Sequence, residues 1–195
     1  GLVAAFSKAF NDERLAVETK FHIAESFFEL FKSHKALARK DEELADLEAG
    51  RRILQEVMED YPDPKYVPRI QYLLGQFAQE LGQWDDAVDA YEQIISHCAD
   101  HLLAPDAQYK LAQCYEEKGD FDAALEAYVT LAATYPKSPL ISSVMIRISD
   151  HFYKAEEYTI AAQVGVKFIE KFEGHQHAPK MAFRSSSASA FLSRT

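Results

Sequence analysis

The sequence of 195 residues has little of what defines several common classes of protein. Two cysteines are too few for a disulfide framework, and we expect Cys98 and Cys114 to be buried thiols that act as small hydrophobic residues. No apolar run approaches the roughly 18 residues needed to span a bilayer, so we expect no membrane insertion. The net charge of −10 would be repelled by a nucleic-acid backbone or an anionic lipid surface. Neither kind of partner is therefore expected.

What the chain does contain is apolar residues at helical spacing, most regularly in residues 105–136. Gly119 and Asp120 interrupt the pattern, and they suit the left-handed end of one helix and the N-cap of the next. Pro136 ends the segment. The sequence therefore predicts two amphipathic helices joined by a tight turn. Their apolar positions are Ala107, Leu111, Ala112 and Tyr115, followed by Ala123, Ala124, Ala127, Tyr128 and Leu131.

The same pattern recurs at a step of 37 residues. Gly119 corresponds to Gly82 one step earlier, and a short helix pair cannot bury its apolar faces without such neighbours. Small residues recur at Gly75, Ala112 and Ser149, and the aromatics that close the second helices stand at Phe10, Tyr61, Tyr135 and Phe172.

These positions resemble the tetratricopeptide repeat family. The resemblance is carried by Leu74-Gly75, Gly82-Gln83-Trp84, Ala87, Tyr91, Tyr115, Ala124, Tyr128 and Pro136. It implies an all-α fold, a right-handed α-solenoid (a superhelix of antiparallel helix pairs) with about 4.5 repeats. Some short phrases also resemble bacterial cell-envelope repeat proteins, of the Tol–Pal coordinator and outer-membrane-assembly lipoprotein type.

We expect residues 1–195 to form a single solenoid that is a piece of a longer chain, since both ends cut through repeats. The expected divisions are 1–10 as the tail of a preceding repeat, 12–62 as a first repeat with an extended hairpin, 68–104, 105–141 and 142–178 as further repeats, and 179–195 as the first helix of another repeat.

The extended hairpin comes from 14 residues inserted in the first repeat. Lengthening both helices by about seven residues would lift the tip about 10 Å beyond its neighbours. Asp41 is the expected N-cap of the returning helix. Residues 30–47 are then either a helical hairpin packed only on itself or a docking element for another subunit or domain.

No pattern in the sequence carries catalytic chemistry. We find no phosphate-binding glycine loop, no Ser-His-Asp or Cys-His set, and no helical spacing suited to a metal. His175 and His177 are expected to be solvated residues of a loop. The prediction is a non-catalytic protein with no cofactor and no metal.

The family resemblance implies that first helices line an inner groove that binds a partner. Aromatic side chains beside amides and carboxylates suit a peptide or helix with apolar anchors and with basic or backbone donors. An alternative is that the aromatics only fill the inner curve. The predicted partner-binding residues are Phe21, Phe28, Tyr72, Gln76, Tyr109, Gln113, Glu116, Asp150 and Tyr153.

The function predicted from sequence is a protein-interaction scaffold that binds a protein or peptide partner. The alternatives are a structural spacer or self-association module, whose exposed end repeats stack on other repeats, and an accessory domain of an enzyme. The sequence leaves the compartment open between periplasm and cytoplasm.

Overall fold

The computed structural model describes residues 13–61 and 63–183, and no strand occurs in those ranges. The chain forms two compact units that divide between Ala107 and Gln108. The helices are α1 (Glu13–Ala36), α2 (Lys40–Asp60), α3 (Val67–Glu80), α4 (Trp84–His97), α5 (Ala104–Lys118), α6 (Phe121–Thr134), α7 (Ile141–Lys154) and α8 (Tyr158–Lys171).

The helices confirm the 37-residue repeat. First helices begin at Val67, Ala104 and Ile141, which are 37 residues apart. Second helices begin at Trp84, Phe121 and Tyr158, with the same spacing. The architecture is an all-α helical repeat.

Each helix pair turns through one residue in the left-handed region, where φ is positive. Gly82 and Gly119 have φ of 70° and 78°, while Ala38 and Glu156 adopt φ of 56° and 63° in the corresponding turns. Asp120 caps α6 as expected, because its side chain accepts a hydrogen bond from the backbone N–H of Ala123 at 3.1 Å. The turn was therefore recognised correctly from local sequence.

The core of the first unit forms where α3 packs on the α1–α2 hairpin. The rings of Phe28 and Phe77 meet edge to face with centroids 5.1 Å apart. Phe77 also lies directly against Gly50, where an added Cβ would come within 2.8 Å of the ring. A glycine in α2 thus makes room for an aromatic of the next helix.

The predicted small positions allow close packing between the two helices of a pair. A Cβ on Gly75 would lie 2.6 Å from the Tyr91 ring, so α3 and α4 approach through this glycine. In the second unit Ala112 is buried in the corresponding place, beside a core that includes Tyr128 and Leu131. Ser149 is buried in α7, and its hydroxyl donates to the carbonyl of Ala161 at 3.3 Å.

The first hairpin is longer than the others, as the 14 inserted residues predicted. α1 and α2 have 24 and 21 residues, whereas α3 and α4 have 14 each. Near the tip, His34 Nδ1 lies 2.6 Å from a carboxylate oxygen of the buried Asp46. The predicted N-cap was wrong: α2 begins at Lys40 after Arg39, and Asp41 lies inside the first turn with Glu42 and Glu43. There the acidic side chains interact favourably with the helix dipole.

At the carboxyl-terminal side, residues 178–183 are helical, with Met181 fully buried and Phe183 exposed. The remainder of the predicted further helix and the predicted repeat tail at 1–10 lie outside the described residues.

Cys98 and Cys114 are both reduced thiols. Cys114 is fully buried, as expected. Cys98, the residue after α4, is only half-buried, so the expectation of a buried thiol is not met there. Within the described ranges, none of the helices combines the length and the apolar content that a bilayer crossing requires.

Candidate protein-binding site

Two of the predicted binding residues lie in the core of the first unit. Phe21 and Phe28 expose 4% and 9% of their surface. The Arg69 guanidinium lies over the Phe21 ring at 4.0 Å, and Phe28 packs on Phe77. These two phenylalanines therefore present little surface to a ligand.

Tyr72 and Gln76 are half-buried on α3 of the same unit. The Tyr72 ring meets that of Tyr91 edge to face, with centroids 5.8 Å apart. Burial raises the pKa of Tyr72, and the negative charge of Asp106 raises it further. Tyr72 is thus a neutral, partly exposed aromatic held by its neighbour on α4.

The corresponding tyrosine of the second unit is held in the same way. Tyr109 on α5 packs on Tyr128 of α6 with ring centroids 5.6 Å apart. The Tyr128 hydroxyl donates to Glu116 at 3.1 Å. Burial is the main cause of a strongly raised pKa at Tyr128, and the Glu116 carboxylate adds to it. The phenol therefore remains a hydrogen-bond donor across the physiological pH range.

Both predicted carboxylates of the second unit have cationic neighbours. Arg147 lies 3.3 Å from Glu116, and Lys180 lies 3.1 Å from Asp150. Burial disfavours the charge of Arg147, but Glu116, Tyr128 and Tyr109 together outweigh burial, and the pKa of the guanidinium is raised. Glu116 and Asp150 are thus carboxylates whose charges are largely balanced within the unit.

These carboxylates line a cleft of about 300 Å³ between the α5–α6 turn and α7, which we call the α7 cleft. Phe121, which is 56% exposed, forms its apolar part. The lining residues are Glu116, Phe121, Arg147, Asp150, His151, Lys154 and Ala155. The cleft therefore offers one aromatic surface with charges of both signs around it.

Five of these seven residues, among them Ala155 at the end of α7, were not predicted from the sequence. Arg147, His151 and Lys154 are spaced by four and three residues along α7, so helical periodicity could have grouped them. Phe121, the first residue of α6, could not be assigned to the cleft because it comes from a different element.

The fourth repeat carries its predicted aromatic at a different position: Tyr153 corresponds to Gln79 and Glu116, whereas Ile146 is the equivalent of Tyr72 and Tyr109. Gly165 occupies the position that Tyr91 and Tyr128 occupy in the earlier repeats. Tyr153 on α7 instead packs edge to face on Tyr158 of α8, with centroids 5.3 Å apart. The predicted residue is therefore half-buried with a different aromatic neighbour.

A second cleft that the sequence did not predict lies in the first unit. It has a volume of about 430 Å³ and is formed by α2, α3 and α4. Arg51 lines it and donates a hydrogen bond to Gln83. The other polar lining residues are Gln55, Gln71, Asp86, Asp89 and Gln93.

The loop histidines are not solvated as predicted. His175 and His177 are both half-buried, and the His175 ring meets Phe168 edge to face with centroids 5.2 Å apart. His175 Nδ1 also accepts the backbone N–H of His177 at 3.2 Å. Among the described residues, no group of three or more His, Cys, Asp or Glu side chains could hold a metal ion.

The sequence of residues 66–137, which includes α3 to α6, matches the tetratricopeptide repeat family. This segment of the chain carries tetratricopeptide repeats. The resemblance seen from the sequence is therefore confirmed, and the matched region contains Tyr72, Gln76, Tyr109, Gln113 and Glu116 of the predicted site. No curated protein sequence matches the chain significantly.

Solved structures of other proteins share the fold. A tetratricopeptide repeat protein from Parabacteroides merdae aligns with a TM-score of 0.63 and 19% identity, over 85% of this chain and 61% of that one. BtubC from P. vanneervenii aligns with a TM-score of 0.63 and 16% identity, over 98% of this chain and 84% of that one. A putative kinesin light chain with nearly identical TPR-like repeats from Podosopora anserina gives a TM-score of 0.57 and 17% identity, over 84% of this chain and 86% of that one.

Proposed function

We propose that this tetratricopeptide repeat chain is a non-catalytic scaffold that binds a peptide or helix of a partner protein through its first helices. The observation that carries the proposal is the α7 cleft, in which the predicted Glu116 and Asp150 lie with the exposed Phe121. Clefts that combine an aromatic surface with convergent polar groups are typical of binding sites.

The geometry supports a particular division of roles in the second unit. Phe121 supplies apolar surface for one anchoring side chain of the partner, since buried anchors contribute most of the affinity of an interface. Glu116 supplies an acceptor in the cleft for a backbone N–H group of the partner, and Gln113, which is half-buried on the same helix α5, supplies another beside the cleft. Arg147 and Lys180 already balance the two carboxylates, so a basic partner side chain would compete with them.

The first unit would add a separate contact through Tyr72 and Gln76. Both are half-buried on α3, and Tyr72 is fixed against Tyr91, so little side-chain entropy is lost when a ligand packs on it. Phe21 and Phe28 would then support this surface from the core and would not touch the partner.

The first prediction concerns capture of the partner. The chain is immobilised, retained proteins are identified from a native lysate, and the strongest is purified and titrated. We expect Phe121→Ala, in the cleft, and Tyr109→Ala, on α5 outside the cleft lining, each to weaken binding at least tenfold, because loss of a central anchor usually costs about 2 kcal/mol or more. Val129→Ala is the control, since Val129 is also exposed on α6 but does not line the cleft.

Circular dichroism melts of the same variants separate binding from folding. Phe121 is exposed, so Phe121→Ala should melt close to the wild-type temperature. The proposal that the cleft binds the partner would be refuted if Phe121→Ala and Tyr109→Ala both bind as well as the wild type. If binding is lost instead when residues 30–47 are replaced by a short turn, the extended hairpin is the binding element.

A further inference from the structure

The long helix α1 carries a row of uncharged residues on a face that is exposed among the described residues. We call this row the α1 stripe. Its members follow each other at intervals of three and four residues, which places them on one side of the helix. Leu15, Ile23 and Leu30 are 53%, 44% and 45% exposed. The α1 stripe consists of Leu15, Thr19, Ile23, Ser26, Leu30 and Ser33.

Two of the three hydroxyl groups within the stripe, those of Thr19 and Ser26, are turned back onto their own helix. Thr19 Oγ1 donates to the carbonyl of Leu15 at 2.7 Å, and Ser26 Oγ donates to the carbonyl of His22 at 2.7 Å. Each of these two hydroxyls thus has a backbone acceptor without water. The stripe can therefore be covered by an apolar surface without leaving these donors unpaired.

The face of α3 that corresponds to the α1 stripe packs against the preceding hairpin. With Ala24 aligned on Gly75, Thr19 corresponds to Ile70 and Ser26 to Phe77. Ile70 and Phe77 are fully buried in the core that α3 shares with the preceding hairpin. The α1 stripe is therefore a repeat-stacking face in which two bulky residues are replaced by small ones.

We infer that the α1 stripe binds the same stripe of a second copy of this chain, with the two helices antiparallel. In one register Ile23 lies over Ser26 of the second copy, and Leu30 lies over its Thr19. Twofold symmetry repeats both contacts, so each of these large residues meets a small one. Two copies of a face with alternating large and small residues can pack together in this way, because each large side chain lies over a small one and nothing is overpacked.

The size of this contact indicates a weak dimer. The stripe extends over 19 residues, or about 27 Å from its first residue to its last, and a helix is about 11 Å wide, so the two copies together would bury about 600 Å². Stable complexes bury roughly 1,200–2,000 Å². The α1 stripe is uncharged although the chain carries a net charge of −10, so added salt should strengthen association by screening the repulsion between copies.

Sedimentation equilibrium of the 195-residue chain, at protein concentrations from about 10 to 500 µM and at low and high salt, tests the inference. We expect a monomer–dimer equilibrium whose dissociation constant falls at high salt. Leu30→Glu should raise that constant at least tenfold. Leu102→Glu is the matched control, because Leu102 is an even more exposed leucine of the same unit outside the stripe.

Disulfide trapping tests the register. Ser26 lies close to the proposed twofold axis, so the two Ser26 residues of the dimer are neighbours. The two Ser33 residues, one from each copy, are about 25 Å apart along the helix pair. In a Cys98→Ser background, Ser26→Cys should form covalent dimers on mild oxidation much faster than Ser33→Cys.

Three results would overturn the inference. If the chain stays monomeric at every concentration, a second copy does not bind the α1 stripe. Dimerisation that persists in Leu30→Glu assigns the interface to another surface. A monomer whose melting temperature drops in Leu30→Glu but not in Leu102→Glu shows that residues of the same chain cover the stripe.

Discussion

The turn between the two helices of each pair adopts a left-handed conformation at one residue, although only two of the four turns contain glycine there. Gly82 and Gly119 adopt this conformation without steric cost, whereas Ala38 and Glu156 have a Cβ that crowds the backbone. Only the repeat register identifies Glu156 as the equivalent of Gly119, because nothing in its own residue type predicts a positive φ.

We therefore predict that Glu156→Gly stabilises the second unit. Relief of strain is worth about 1–2 kcal/mol, and part of it is offset by the greater freedom of glycine in the unfolded chain, so a net gain of about 0.5–1 kcal/mol is expected. Gly119→Ala, in the equivalent turn of the preceding repeat, should lose a similar amount. Urea unfolding followed by circular dichroism measures both variants. A loss of stability in Glu156→Gly would show that the strain is relieved elsewhere.

At the scale of elements, the extended hairpin depends on one polar pair as well as on apolar packing. Phe31 and Leu47 bury its interior, while Leu37 and Leu44 remain exposed near the tip. His34 and Asp46 join the two helices at 2.6 Å, and Asp46 is nearly inaccessible to water. Removing one member of such a pair leaves the other poorly solvated.

We predict that Asp46→Ala loosens the end of this hairpin. The cost should be about 1–3 kcal/mol, since the His34 ring loses its partner in a half-buried place. Hydrogen exchange should then accelerate at residues 30–47 and stay unchanged in α7. Glu48→Ala is the control, because Glu48 lies on the exposed face of α2. Equal exchange in both variants would mean that apolar contacts alone hold the hairpin.

The helices and their register could be predicted because the information is local. Periodic apolar residues, Gly82, Gly119 and the capping Asp120 each act within one turn of the chain. The environment of the candidate site depends on other elements. Phe28 is buried because Phe77 packs on it, and Glu116 is balanced by Arg147 from the next repeat. Neither contact follows from the residues near it in sequence.

At the scale of the whole molecule, two compact units in one repeat chain lead to a prediction about cooperativity. The stability of a repeat array is approximately a sum of the stabilities of its repeats and the interfaces between neighbours. Local destabilisation therefore need not spread evenly. The single tryptophan, Trp84, begins α4 in the first unit, so its fluorescence reports on that unit alone.

We expect Leu131→Ala in the second unit to lower the urea midpoint of the helical circular dichroism signal more than the midpoint of Trp84 fluorescence. Leu131 is fully buried, and its truncation should cost about 2–5 kcal/mol in the repeats around it. Leu54→Ala, at an equally buried leucine of the first unit, is the matched variant and should shift the fluorescence transition at least as much as the dichroism. If the two probes move together in both variants, the chain unfolds in one two-state transition, and the interfaces between repeats then outweigh the differences between the units.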